Sequence, residues 1–526
     1  MTAAPFRMDK ADRLPLWVIA LLVLALALRL VDLRSDWVAA RSSRLSQAFT
    51  GRTDDKTMQA TLSVSTEAKT AYATSLGRSG GEPDPKALQR ALKSAETLQK
   101  GAANVPSTAR RVLVLRALLH KPLFGPGPNK LDPHTAFQPD ALKGLRPEDR
   151  TRYLAEGKLW EAVARGPHLT PFQTATYARQ LQTTPGIRWW RYPALSVLYG
   201  SQNNPAAAKT YAGQARSRAI LTLAPVSVFT LVWVGLGLAG TGLLIYFGLR
   251  RLGSGTDPAV PDPIWPTLRD PVPPAERRLR AGDLLGVFAL YLLMPDLLGW
   301  LLGGVHIPRV LYFHGLLAPL RASLETQPAA SRVAASVGLT TLGYMVSAGV
   351  PIGLLVAMAR RRRASFGEEL GWNTHRLGQN LLYGIMGYAV ALPLVLLASA
   401  IGSHLHTPDP SNPAIPLLAN STSVWTQAML VLLATVAAPL TEELLFRGVF
   451  LQAARLRLGV WPAIVLTGFV FGFVHPVGLS GMLPLMVLGG VFAWMAETRR
   501  SLAPSMLAHC LQNTFATLMV LLALAG

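Results

Sequence analysis

Disulfide chemistry is excluded first, because the chain holds one cysteine, Cys510, and no intrachain bridge can form. Charge is scarce too. Only 15% of the 526 residues are Asp, Glu, Lys or Arg, while half are hydrophobic. That balance excludes an ordinary soluble enzyme and fits a multi-span membrane protein carrying a soluble insert. Acidic residues are the rarer sign, 29 against 51 basic, which leaves a net charge of +22. Much of the basic excess lies beside hydrophobic runs, where it orients helices and meets anionic lipid. No aromatic–basic motif accompanies it. A nucleic-acid partner is therefore not expected, and the basic surface of the insert reads as a solvated face.

The apolar runs divide the chain. Residues 1–34 form an N-terminal membrane anchor, with basic Arg7, Lys10 and Arg13 ahead of an apolar run at 14–28 and Arg29 able to snorkel. A signal peptide cleaved near Ala39 and Ala40 is the alternative. Between 35 and 216 no stretch is long enough to cross a bilayer, and 26 Lys/Arg stand against 13 Asp/Glu. Apolar periodicity predicts helices over 86–100 and 152–165, and an Ala-rich helix over 206–216. The segment reads as a helical soluble domain. Its pattern allows paired helices of the TPR kind, but no clean repeat is present. A second span follows at 217–252. A cytoplasmic linker at 253–281 carries seven prolines between Pro258 and Pro274 and should be extended. The remainder, 282–526, reads as one intramembrane domain with its chemical core at 424–526. Its spans are expected at 284–305, 334–359, 381–401, from 424 through the glutamate pair at 442–443, and at 461–475, 483–496 and 502–525. A polar loop at 404–423 separates two of them. Pro295 and Asp296 interrupt the first of these spans and read as a structural kink. The fold class is all-α: a polytopic membrane bundle of about nine spans, with a mostly helical soluble domain inserted after the first.

Basic clusters fall at the start, at 250–251, 277–280, 360–363, 447–457 and 499–500. With nine spans all of them lie on one side, which is then cytoplasmic. The expected localisation is a cell membrane, with the N-terminus cytoplasmic and the 35–216 domain and C-terminus extracytoplasmic. Glu442 and His509 then lie in the cytoplasmic half. His475, at the far end of its run, does not fit that arrangement simply.

Three polar fragments sit in these apolar runs: Glu442 to Arg447 (EELLFR), Phe471 to His475 (FGFVH) and His509 to Asn513 (HCLQN). Ionisable groups inside a membrane are costly and mark function by default. Adjacent Glu442 and Glu443 are about 100° apart on a helix and cannot share one task. Glu443 and Arg447, at i and i+4, can form an ion pair, which leaves Glu442 the less neutralised carboxylate. His509 and Asn513 repeat the i, i+4 spacing, as do Phe471 and His475, whose ring can wall a site. A carboxylate, two imidazoles and an amide converging in a membrane suffice to activate water and hold an oxyanion. Cys510 could be read as a nucleophile, but a lone buried cysteine ordinarily only packs.

Taken together, EExxxR, FxxxH and HxxxN in this order resemble the CPBP family of intramembrane proteases (CAAX protease and bacteriocin-processing, also called Abi), related to the Rce1 type of prenyl-protein endopeptidase. The likeness covers roughly 375–526. It implies that Glu442, assisted by His475, deprotonates a water that attacks a peptide carbonyl. His509 and Asn513 would stabilise the oxyanion, and Glu443, Arg447 and Phe471 would support them. It implies a membrane-associated, prenylated or peptide substrate as partner, alongside the bilayer. A metal is left open. Glu442, His475 and His509 are an acceptable zinc set, but HExxH is absent, and the reading favours no tightly bound metal. Other readings of the motifs are a non-catalytic scaffold or bacteriocin-immunity protein on the same fold, a proton-coupled transporter, or helix glue. No inverted repeat of the transporter kind is present.

Overall fold

A computed structural model describes residues 14–34, 85–101, 106–119, 121–125, 132–142, 147–184, 188–253, 278–303, 305–307, 311–313, 323, 329–404, 418, 423–475, 477 and 479–525. Helices dominate, as the apolar runs demand. The Pro-rich linker, the expected cleavage point near Ala39 and most of the polar loop at 404–423 lie outside the described residues.

Two compact units are present. One comprises Ser46–Val232 with Leu518–Gly526, the other Met1–Leu45 with Trp233–Thr517. In the first unit, helix Pro85–Gly101 (α2) packs Leu88 and Leu92 against Val112 and Leu115 of Pro106–Leu118 (α3). Together α3, Pro147–Ala164 (α4), Pro171–Thr183 (α5) and Arg191–Ser201 (α6) surround a core of Leu113, Trp160, Leu181, Trp190 and Leu195. Pro171 occupies the first turn of α5, where its missing N–H is not needed. Thr170 and Gln173 cap that end reciprocally. The expected helix at 206–216 and the span after it merge into one helix, Pro205–Gly253 (α7), whose residues are shared between the units.

The second unit begins with Leu16–Arg34 (α1) and continues through Ala281–Gly303 (α8), Ala329–Arg362 (α9) and, after the short helix Phe366–Leu370 (α10), Leu377–Ser403 (α11). A two-stranded antiparallel pair, Val305–Ile307 with Leu311–Phe313, comes after α8. Pro295 lies inside α8, which runs on past it. The site-bearing elements are Val424–Leu458 (α12), Val460–Val474 (α13), Leu479–Arg499 (α14) and Ala503–Ala525 (α15). Among the described residues, five helices are long and apolar enough to cross a membrane: Ala281–Leu298, Ala334–Arg362, Leu377–Gly402, Val424–Leu458 and Gly481–Arg499. Shorter apolar helices lie at Leu16–Ala25, Thr230–Tyr246 and Val460–Val474. Leu342, Leu354, Leu397, Trp425, Leu432 and Val465 are exposed on these helices, as a lipid-facing surface requires. The chain is an all-α, multi-pass membrane protein.

Two features position the site. First, α12 does not stop at its glutamate pair but runs to Leu458 and reverses at Gly459, whose φ of +79° favours glycine. Glu442 is 17 residues before Gly459 and His475 is 16 after it. At 1.5 Å per residue both lie about 25 Å from the turn and so at one level. That removes the difficulty His475 posed in the sequence. Second, α13 crosses α14 at contact distance. A Cβ on Gly472 would lie 2.7 Å from Met482 O, and one on Gly468 would lie 2.7 Å from Met486 O. Small residues four apart let backbones approach in this way. This crossing brings Phe471 and Gly489 beside the charged residues of α12.

Candidate active site

The glutamates sit on an irregular stretch of helix. α12 is α-helical over Val424–Leu432, π-helical over Leu433–Ala437, α-helical over Ala438–Glu443, π-helical over Leu444–Phe450, and α-helical again over Leu451–Leu458. Wide turns of this kind often mark functional positions. Pro439 accounts for the first. Within it the Ala438 N–H reaches back to Leu433 O, and Pro439 has no N–H to give. Ala434 O is left without a helical donor. Asn513 Nδ2 supplies one at 2.8 Å.

Around this helix the predicted residues converge. Glu443 and Arg447 are fully buried and paired at 2.8 Å. Arg447 also donates to Gly489 O at 3.1 Å, and its guanidinium lies 4.5 Å from the centroid of the Phe471 ring. His509 Nδ1 lies 2.9 Å from the same Glu443 oxygen, a contact 66 residues distant in sequence. A carboxylate oxygen can only accept, so Nδ1 carries the hydrogen and Nε2 is turned outward. His475 behaves alike. Its Nδ1 lies 2.6 Å from Phe471 O, which again makes Nδ1 the donor. Both Nε2 atoms lie 3.8 Å from Glu442 Oε2, which is buried and accepts no hydrogen bond. Phe471 walls this space, 4.6 Å from the His475 ring and 5.7 Å from that of His509. Phe492 closes the far side of His509 at 5.3 Å. The Glu442 side chain is 15% exposed and that of His475 27%, against 5% for His509. The gap therefore opens past His475.

Sequence spacing reaches the Glu443–Arg447 pair, whereas the shared site of Glu442, His475 and His509 is implied by the family resemblance. It does not reach the Glu443–His509 contact, Gly489 O, Phe492, or the anchoring of Asn513 on Ala434. Of these only Pro439, a helix-breaking residue three positions before Glu442, leaves a signal in the sequence. Cys510 is half-buried, and the described site gives it no part.

The donor chemistry of Glu442, His475 and His509 is that of a zinc set, and both imidazoles have the partner on Nδ1 that metal-bound histidines take. The spacing is not. Ligands about 2.1 Å from a tetrahedral ion stand about 3.4 Å apart, closer than the 3.8 Å found here. Among the described residues no group of three His, Cys, Asp or Glu meets the spacing of a metal centre. As placed, these residues frame a gap wider than a zinc set.

Known proteins are similar to this part of the chain. The family model for type II CAAX prenyl endopeptidase, Rce1-like, matches residues 424–515. The protein of Bacillus subtilis (strain 168) named "Putative membrane peptidase YdiL" is 24% identical over 146 residues, 28% of this chain and 58% of that protein. The match thus spans little more than half the relative's length. No solved structure matches. Glu442, His475 and His509 all lie within the stretch that is similar to the Rce1-like type II CAAX prenyl endopeptidases.

Proposed function

We propose that the chain is an intramembrane endopeptidase in which Glu442 activates water for attack on a peptide carbonyl. One observation carries this reading: two imidazole Nε2 atoms face one buried Glu442 oxygen that accepts no hydrogen bond. A water in that gap donates one hydrogen to Glu442 and the other to His475 Nε2, whose Nδ1 is already committed to Phe471 O. As the water attacks, Glu442 takes its proton. Glu442 or His475 then passes a proton to the leaving amine, and the acyl product departs as a carboxylate. During the attack His509, held at Nδ1 by Glu443, turns its Nε2 edge to the developing oxyanion and stabilises it. Asn513 retains one N–H beyond the bond to Ala434 O and serves as a second donor. Glu443 and Arg447 fix the imidazole of His509, and Phe471 keeps both rings apart from bulk water. No step is routed through a metal.

The substrate class comes from the same reading: a membrane-associated peptide or protein, entering past the partly exposed His475. We place the N-terminus in the cytoplasm and the 35–216 domain on the other side, on the strength of the basic clusters.

The test is hydrolysis of a pooled peptide library, with and without a prenyl group, by the purified full chain in detergent. Wild type is compared with Glu442→Ala and His509→Ala, each with and without a chelator. Loss of cleavage in both variants, with no effect of chelator, is expected. Chelator-sensitive cleavage would overturn the metal-free step. Equal cleavage by all three proteins would remove Glu442 from its role. A wild type without activity would favour a scaffold or a transporter.

A further inference from the structure

We propose that Tyr344 is a positioning residue for Glu442, acting through the hydroxyl of Thr441. The inference rests on Glu442 as the base. Tyr344 lies on α9, outside the three motifs. Its hydroxyl is in hydrogen-bond contact with Thr441 Oγ1 and lies 3.4 Å from Ala438 O. The Thr441 hydroxyl hydrogen is directed at the carbonyls of Ala437 and Ala438, each 3.0 Å away. Thr441 Oγ1 is therefore the acceptor and Tyr344 the donor.

The place of this contact gives it meaning. The Ala438–Glu443 segment is a short α-helical piece between two π-helical ones. One residue more or less in a wide turn rotates the remainder of the helix by about 100°. The direction of Glu442 thus depends on which turns are wide, and the backbone of α12 does not fix that alone, because Pro439 removes one of its donors. Side chains from two other helices fix it instead. Asn513 of α15 holds Ala434 O in the first wide turn. Tyr344 of α9 holds Thr441, directly before Glu442. The neighbours of Tyr344 on its own helix, Leu342 and Met345, are exposed. On so apolar a helix a phenylalanine would serve packing equally well. The hydroxyl, rather than the ring, is the part the site uses.

The experiment compares Tyr344→Phe, Thr441→Val, the double variant and Thr441→Ser in the purified full chain, with Glu442→Gln as reference. Tyr344→Phe and Thr441→Val are each expected to lower kcat about tenfold or more with KM unchanged. The double variant should be no worse than the poorer single one, and Thr441→Ser should stay near wild type. Amide exchange over 433–443 should quicken in Tyr344→Phe, with exchange over 205–232 unchanged. A kcat within twofold of wild type in Tyr344→Phe, while Glu442→Gln is inactive, would overturn the proposal and spare the role of Glu442. So would additive losses in the double variant. If wild type and Glu442→Gln cleave alike, it is the reading of Glu442 that fails. The exchange measurement still decides on Tyr344 in that case, because unchanged exchange over 433–443 rejects it.

Discussion

Each of the two units buries arginine–glutamate pairs, and Arg110–Glu156 in the first is built differently from Arg447–Glu443 in the second. In the first unit Arg110 grips Glu156 with both arms, Nε to Oε1 at 2.5 Å and Nη2 to Oε2 at 2.7 Å. Trp160 Nε1 adds a third donor at 3.2 Å. Both carboxylate oxygens are taken by donors. In the membrane unit Arg447 gives one nitrogen to Glu443 and another to Gly489 O, and His509 takes a share of the same Glu443 oxygen. This pair leads onward, through an imidazole, to a gap beside Glu442. Burial alone does not separate a functional ion pair from a structural one. The separation lies in whether the pair passes its orientation to a group that faces open space.

Removing one partner should break the comparison most visibly. Arg447→Met leaves Glu443 buried without its cation, which costs about 3–5 kcal/mol and releases His509. A lowered unfolding midpoint in detergent and loss of peptide cleavage are both expected. Arg110→Met should lower the midpoint comparably and leave kcat/KM at the wild-type value. Cleavage lost in Arg110→Met would erase the distinction between the two pairs. A smaller effect is expected at Asn513. Asn513→Ala should lower kcat by about 10²-fold, the usual cost of one oxyanion donor. Asn513→Asp cannot donate to Ala434 O and should recover nothing. The smallest effect comes from replacing both partners. Arg110→Met with Glu156→Leu should be near neutral or mildly stabilising, since apolar groups of similar volume often match a buried pair. Glu443→Leu with Arg447→Met should also keep the fold, yet cleave nothing. Calorimetry and the cleavage assay together read these outcomes.

How far the sequence reaches can be judged at particular residues. The helices announce themselves, because an apolar run in a bilayer has few other ways to satisfy its backbone. Glu443 with Arg447 comes out of helical spacing, and so does the pairing of each histidine with its own i, i+4 neighbour. Beyond one helix the reach fails. Nothing at Glu443 points to His509, because that contact depends on how α12 and α15 pack. Hydropathy ends α12 too early, because the glutamates and Arg447 break the apolar run although they do not break the helix. Tyr344 belongs to no motif and looks like any aromatic residue in a membrane span. Pro439 is in plain view, but its effect requires knowing that the turn widens and that a distant amide fills the vacated position.

The reversal at Gly459 makes α12 and α13 a folded ruler whose two arms are measured off in whole residues. Glu442 and His475 meet because the arms are of equal length, and no contact between them is needed to set that length. Substitutions on the exposed sides of the arms, as at Leu458 or Val465, can therefore accumulate, whereas Arg447, Gly468 and Gly472 are held by their contacts. A single insertion or deletion between Glu442 and His475 would carry one past the other and turn it away. For this site, surface drift is tolerated and length drift is not.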